Sequence, residues 1–245
     1  MTTMPSAARI QKRIPPYVPP FQSGDVMDQP TFHDLYETTP PGFRAELIGG
    51  IIYMPSPVTP RHGKPHGMLG GLLFNYSAST EGTEAFIDTT MIMAADSEPQ
   101  PDLSMIVYPE IGGQTKVSKQ EYLTGAPELA IEIAPSSAAI DLNAKKHDYE
   151  RYGVREYVVV EGKPRVVHWF VRRGTKFIDL LPGADGILKS RNFPGLWLDP
   201  SALFERSAKR LLAVLQTGLA TPEHAKFVAK LQSKLAKSKP RPEPS

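Results

Sequence analysis

A chain of 245 residues, 40% of them hydrophobic, can bury one core of upper-middle size and carry appended segments. Zero cysteines exclude disulfides and thiolate metal sites, an absence that fits a cytoplasmic protein. With 28 basic against 26 acidic residues the net charge is +2, which argues neither for nor against nucleic acid, so any basic groove has to be local.

Residues 1–30 are rich in proline and hold Arg9, Lys12 and Arg13 without an apolar run of leader length, so neither a signal peptide nor a membrane span is expected there. The stretch Ile14 to Pro20 favours extended polyproline II and reads as a surface-draped arm or, alternatively, a ligand for a proline-binding partner. Thr31 to Thr39 reads as a short helix capped by Thr31, and Arg44 to Met54 as a hairpin turning at Gly49-Gly50. Pro60 to His66 reads as a loop entering a helix from His66 to Ser79, whose stripe is Leu69, Leu72, Leu73 and Tyr76. His62 and His66 have the spacing of zinc ligands on one helix face, but Gly63 and Pro65 oppose helix between them and no His-Glu-x-x-His glutamate is present, so zinc is not expected. Ala85 to Met93 reads as one strand, then Asp96 to Pro101 as a turn whose acids Asp96 and Glu98 are solvated.

Two short apolar segments follow, each carrying one carboxylate: Pro101-Asp102-Leu103 through Val107, and Glu128-Leu129-Ala130-Ile131-Glu132-Ile133-Ala134. Both read as buried strands. An unpaired carboxylate inside such a strand is expensive, so Glu132 needs a partner. Period two puts it between Ala130 and Ala134 on one face, with room beside it, and Leu129, Ile131 and Ile133 on the other. If the strands are neighbours, Asp102 and Glu132 converge on one cation, and oxygen-only ligation suits Mg²⁺ or Mn²⁺. Asp141 to Tyr152 then reads as a helix capped by Asp141, with Lys145 on the stripe of Leu142, Tyr149 and Tyr152, facing the sheet. Such a lysine snorkels along its own stem or reaches the acids.

Arg155 to Val160, His168 to Val171 and Phe177 to Leu181 read as strands, with Trp169 and Trp197 as core or interface anchors. Arg172-Arg173 at a hairpin tip, and Lys116 and Lys119 in the Pro109 to Gly125 excursion, are phosphate-contact candidates. Ser201 to Gly218 and Thr221 to Ala236 read as helices, and Lys226, Lys230, Lys234, Lys237, Lys239 and Arg241 make the end basic, as a solvated face or a nucleic-acid track.

The ordered set Pro101-Asp102, Pro127-Glu128-Leu129 leading to Glu132, Asp141, Lys145, Tyr149, Gly153-Val154 and Glu156-Tyr157 resembles the Uma-type family of putative restriction endonucleases, over Phe32 to Phe204. That family is assigned to the restriction-endonuclease-like, PD-(D/E)xK superfamily. The resemblance implies a mixed α/β core, a central mixed sheet flanked by helices, with an N-terminal hairpin and C-terminal helices. It also implies metal-dependent hydrolysis of DNA, with Asp102 and Glu132 holding Mg²⁺ or Mn²⁺ and Lys145 completing the catalytic trio. The residue two after Glu132 is Ala134, where the superfamily archetype has its lysine; in the Uma-type family the lysine lies on the following helix, and Lys145 matches it. Glu46 matches the family's Glu-Leu-Ile-x-Gly signature and His62 its frequent histidine, making both possible additional site residues. Otherwise Glu46 is a solvated acid paired with Arg44 or Arg61, and the trio a structural ion pair plus a turn aspartate. The domain layout expected is an arm over 1–30, the nuclease-like domain over 31–205 and a helical basic extension over 206–245. DNA is the expected partner, a homodimer the form that cuts two strands, and an inactive nucleic-acid-binding or accessory protein the alternative.

Overall fold

A computed structural model describes residues 17–55, 59–135 and 138–238; the proline arm up to Pro16, and Lys239 and Arg241 of the basic tail, lie outside them. Helix α1 (Gln29–Tyr36) precedes the hairpin β1 (Glu46–Ile48) and β2 (Ile51–Tyr53), and α2 (Pro60–Ala78) leads into β3 (Thr83–Ile87). The two-residue β4 (Met91–Ile92) is followed by β5 (Leu103–Val107), β6 (Lys116–Val117), β7 (Leu123–Thr124) and β8 (Leu129–Ala134). A π-helical turn (Asp141–Lys145) runs into α3 (Lys146–Tyr152). Then come β9 (Glu156–Glu161), β10 (Val166–Arg173), β11 (Lys176–Asp179), β12 (Leu188–Lys189), β13 (Trp197–Leu198), α4 (Pro200–Phe204), α5 (Ala208–Leu219) and α6 (Pro222–Leu235). Among the described residues, no helix is long and apolar enough to cross a membrane.

The centre is a six-stranded mixed sheet in the order β11-β10-β9-β8-β5-β3. Its pairs are antiparallel except β8 with β9, whose parallel pairing requires a crossover, supplied by the π turn and α3. Strand β8 shows why the sheet has two different faces. Leu129, Ile131 and Ile133 join the main core with Leu69, Leu72 and Leu73 of α2 and Leu211 and Leu215 of α5. Ala130 and Ala134 face the other way, into a cluster with Tyr149, Tyr157 and Phe170, where their small size admits the aromatic rings of α3 and β9. The hairpin turns at Gly49 and Gly50 with φ of 58° and 79°, the mirror-image turn that suits strand twist. Phe21, Phe32 and Leu47 pack it against α1.

Several expected boundaries move. Asp28, not Thr31, caps α1, its carboxylate accepting the Thr31 amide at 3.0 Å, because Pro30 already occupies the first turn. Pro60 to His66 is helix rather than loop: Thr59 is extended, Pro60 opens the helix, and the amides of His62 and Gly63 both donate to the Thr59 carbonyl at 2.9 Å. Pro65 costs this helix one hydrogen bond, which burial of Leu69, Leu72, Leu73 and Tyr76 offsets. The strand expected over 85–93 breaks at Asp88, where φ is 50°, so that β3 stays in the central sheet and β4 joins a side sheet with β7 and β6. Asp141 is not a cap, since helical backbone begins before it and the Leu142 amide donates to Ala138 at 2.8 Å. The helix expected over 201–218 divides into α4 and α5 at Arg206, where φ is 60°, with Ser207 capping α5.

Strand β9 is locked by its first residue. The fully buried Glu156 carboxylate accepts from Trp169 Nε1 at 2.9 Å, Ser190 Oγ at 2.8 Å, and the Arg191 and Asn192 amides at 2.7 and 2.8 Å. Glu156→Ala strands these donors in the interior and should lower the unfolding free energy by about 3 kcal/mol or more, measured by urea titration.

Candidate active site

The pairing of β5 with β8 sets Leu103 opposite Ile131, so Asp102, one residue before β5, lies beside the end of β8 that carries Glu132. Asp102 Oδ2 accepts the Ile133 amide at 2.7 Å, and Oδ1 lies 2.9 Å from His62 Nε2. Glu132 is only 4% exposed; its Oε1 lies 3.0 Å from Lys145 Nζ and accepts the Tyr149 hydroxyl at 2.8 Å. Lys145 Nζ also lies 2.8 Å from Glu46 Oε2 and 4.0 Å from Asp141. Glu46, buried rather than solvated, takes the Gln100 amide at 2.7 Å on its other oxygen, while Arg44 turns to Asp88. One cleft of about 1060 Å³ is lined by Glu46, His62, Asp102, Glu132, Asp141 and Lys145. Asp102, Glu132, Lys145, Glu46 and His62, singled out in the sequence, are thus all brought to one place.

The charges in the cleft are unbalanced. Burial works against ionisation of Asp102, but the His62 hydrogen bond and charge, the Ile133 amide and Lys145 together hold its carboxyl below the usual range. His62 is raised by that same hydrogen bond, against its own burial. Glu132 is pushed well up by burial and by the like charges of Glu46, Asp102 and Asp141, with Lys145 pulling the other way. Burial alone would lower Lys145, yet Glu132, Glu46 and Asp141 outweigh it and keep the ammonium protonated far above its ordinary range.

Because α2 begins at Pro60, His62 and His66 stand one turn apart with ring centroids 5.3 Å from each other. Among the described residues, His62, His66 and Asp102 form a group whose potential ligand atoms all lie within 4.8 Å of one another. His66 Nε2 lies 2.9 Å from the Asp102 carbonyl oxygen, and the buried Nδ1 of His62 has no hydrogen-bond partner. The zinc spacing discounted on account of Gly63 and Pro65 is therefore realised on one helix face, although those two residues argue against a helix there.

Two buried acids escape a reading of the sequence. Glu98 is buried beneath α1, where it accepts from Gln29 Nε2 at 2.7 Å and meets His33 Nδ1 at 2.9 Å, instead of being solvated. Nothing local marks it, since its burial follows from α1 folding back over the turn. Asp148 accepts the Gly49 amide at 3.1 Å and the Ser97 hydroxyl, bolting α3 to the hairpin that carries Glu46. A signal for it existed: Lys145, Asp148, Tyr149 and Tyr152 recur at the spacing of one helix face.

The mixed sheet, opened at one end over acids and a lysine, has the fold of a solved nuclease-type structure. The crystal structure of a putative nuclease belonging to DUF820 from Anabaena variabilis superposes with a TM-score of 0.55 at 15% identity, covering 71% of this chain and 97% of that one. The family whose pattern matches residues 29–201 is Uma2, "Putative restriction endonuclease", and the chain belongs to it. No curated protein matches the chain.

Burial pushes the Asp148 carboxyl up to about 6 from an ordinary 3.8. The folded state then binds the proton more tightly than the unfolded chain, so this group takes stability away as pH rises from about 4 to about 6. Asp148→Asn keeps an acceptor for the Gly49 amide, can donate from its Nδ2 to the Ser97 hydroxyl, and should remove that loss. Relative to wild type it should gain on the order of 2 kcal/mol between pH 4 and pH 7, read from denaturant titrations at the two values.

Proposed function

We propose that this protein is a metal-dependent endonuclease that hydrolyses phosphodiester bonds in DNA, and that Asp102, Glu132 and Lys145 carry the reaction. The observation that supports this reading is the convergence of two strand carboxylates and a buried lysine at the opened end of the sheet, in a chain of the Uma2 family.

The donor chemistry fits a hard divalent cation. Asp102 and Glu132 would hold it, while Glu46 and Asp141 add negative charge that one lysine does not balance. The imidazoles of His62 and His66 beside Asp102 extend the donor set to nitrogen, which admits Mn²⁺ as well as Mg²⁺. When bound, such a cation polarises the scissile phosphate and lowers the pKa of water. Lys145 remains protonated, so its part is to donate hydrogen bonds and charge to the phosphoryl oxygens as negative charge builds on them, not to abstract a proton. Tyr149 and Glu46 position that ammonium through Glu132 and directly. Where no metal ion engages its imidazole, His62, raised by Asp102, instead offers a second cation to phosphate or orients water.

A second reading, an inactive nucleic-acid-binding or accessory protein that retains the fold, is favoured by one observation. Lys145 is held between Glu46 and Glu132, as in a purely structural ion-pair cluster.

Calorimetric titration with Mg²⁺ or Mn²⁺, with and without DNA, tests the choice. Glu132→Gln should weaken cation binding about tenfold or more, and Asp102→Asn should slow DNA cleavage about a hundredfold or more while leaving DNA binding in place. Absence of cation binding by the wild type, even with DNA present, decides for the accessory protein.

A further inference from the structure

Beside the acid cleft lies a smaller one of about 360 Å³, whose lining includes Arg61, Lys163, Arg165 and Arg206 and no aspartate or glutamate. Among the described residues, none of these four cations forms an ion pair. The nearby acids are already engaged: Glu161 lies 3.1 Å from His168, and Glu205 lies 2.8 Å from Arg210. A net charge of +2 over the whole chain makes such a local concentration of unpaired cations informative.

Three separate elements bring the cations together, and the turn that carries two of them is held in place. Arg61 opens α2, Lys163 and Arg165 form the turn between β9 and β10, and Arg206 is the turn between α4 and α5. The β9–β10 turn is fixed to the strand that carries Glu132: the Gly162 amide donates to the Ala134 carbonyl at 2.8 Å. A side chain at Gly162 would bring its Cβ to 2.8 Å from the Pro135 carbonyl oxygen, so the approach is as close as glycine allows. The Arg165 guanidinium lies 5.5 Å from the centre of the Phe204 ring, which orients it over the groove. Arg61, Ile133 and Pro135 line both clefts, so the basic groove runs into the acid one.

An acid cluster repels a polyanion, and recruitment must come from cations next to it. We propose that this groove holds the DNA phosphodiester backbone flanking the bond presented to Asp102 and Glu132, an assignment that rests on the nuclease reading of the acid cleft. Lys163, Arg165 and Arg206 contact successive phosphates, and Arg61 stands at the junction of the two clefts.

Binding of a short labelled DNA duplex to the full chain, followed by fluorescence anisotropy over a range of salt without divalent cation, tests the groove independently of cleavage. In the triple variant Lys163→Ala, Arg165→Ala, Arg206→Ala the affinity should fall about tenfold or more, and the slope of log K against log salt should shrink by about three, one per phosphate contact removed. Arg165→Lys, which keeps the charge, should retain the slope, and Lys176→Ala on the edge strand β11, whose ammonium is already paired with Glu150, should change neither quantity. Wild-type binding that the triple variant keeps, with an unchanged slope, overturns the groove and leaves the nuclease reading standing. A wild type that binds no DNA at all overturns both.

Discussion

The structure turns on one buried ammonium. Lys145 is 6% exposed and sits among Glu46, Glu132 and Asp141, contributed by the hairpin, the central strand and its own π turn. Burial alone would disfavour the ammonium, which those acids keep charged, and the ammonium in turn is the charge that opposes the effect of burial on Glu132. Buried ion pairs are weak sources of net stability, so this cluster is better understood as what forces three elements to meet at one end of the sheet.

That arrangement separates two electrostatic tasks. The acids collect around one fixed positive group in the cleft beside β8, an arrangement that the proposed nuclease chemistry would use. The unpaired arginines and lysine collect on the adjoining turns, tied to the same strand end through Gly162 and Ala134. A near-neutral chain thereby carries opposite local fields a short distance apart, which net charge alone does not reveal.

How much was legible in the sequence follows the range of the interactions. Asp102, Glu132 and Lys145 were recognisable because strand alternation and helical spacing are local, and the alternation of β8 into two faces is as expected. Glu46 entered only through a family resemblance, His62 through that and through its spacing from His66, and the burial of both depends on contacts across the fold. The helix through Gly63 and Pro65 was illegible because local propensity opposes it and tertiary burial of the stripe beyond overrides that propensity. Glu98 was read as a solvated acid and Asp148 was passed over; one is covered by α1 and the other accepts an amide 99 residues away in the chain. A π-helical start stands at Asp141 where a capped α-helix was expected, and from its last residue Lys145 reaches Glu46 and Glu132.

The hydrogen bond between Asp148 and Gly49 carries a consequence for how the molecule comes into being. Its two ends belong to opposite halves of the chain, as do Glu46 and Lys145 beside it. Closing so long a loop is entropically slow and is rewarded only after β8, α3 and β9 have assembled. During synthesis the hairpin emerges from the ribosome long before its lysine exists. A chain arrested before the π turn would hold Glu46, Asp102 and Glu132 without the charge that organises them.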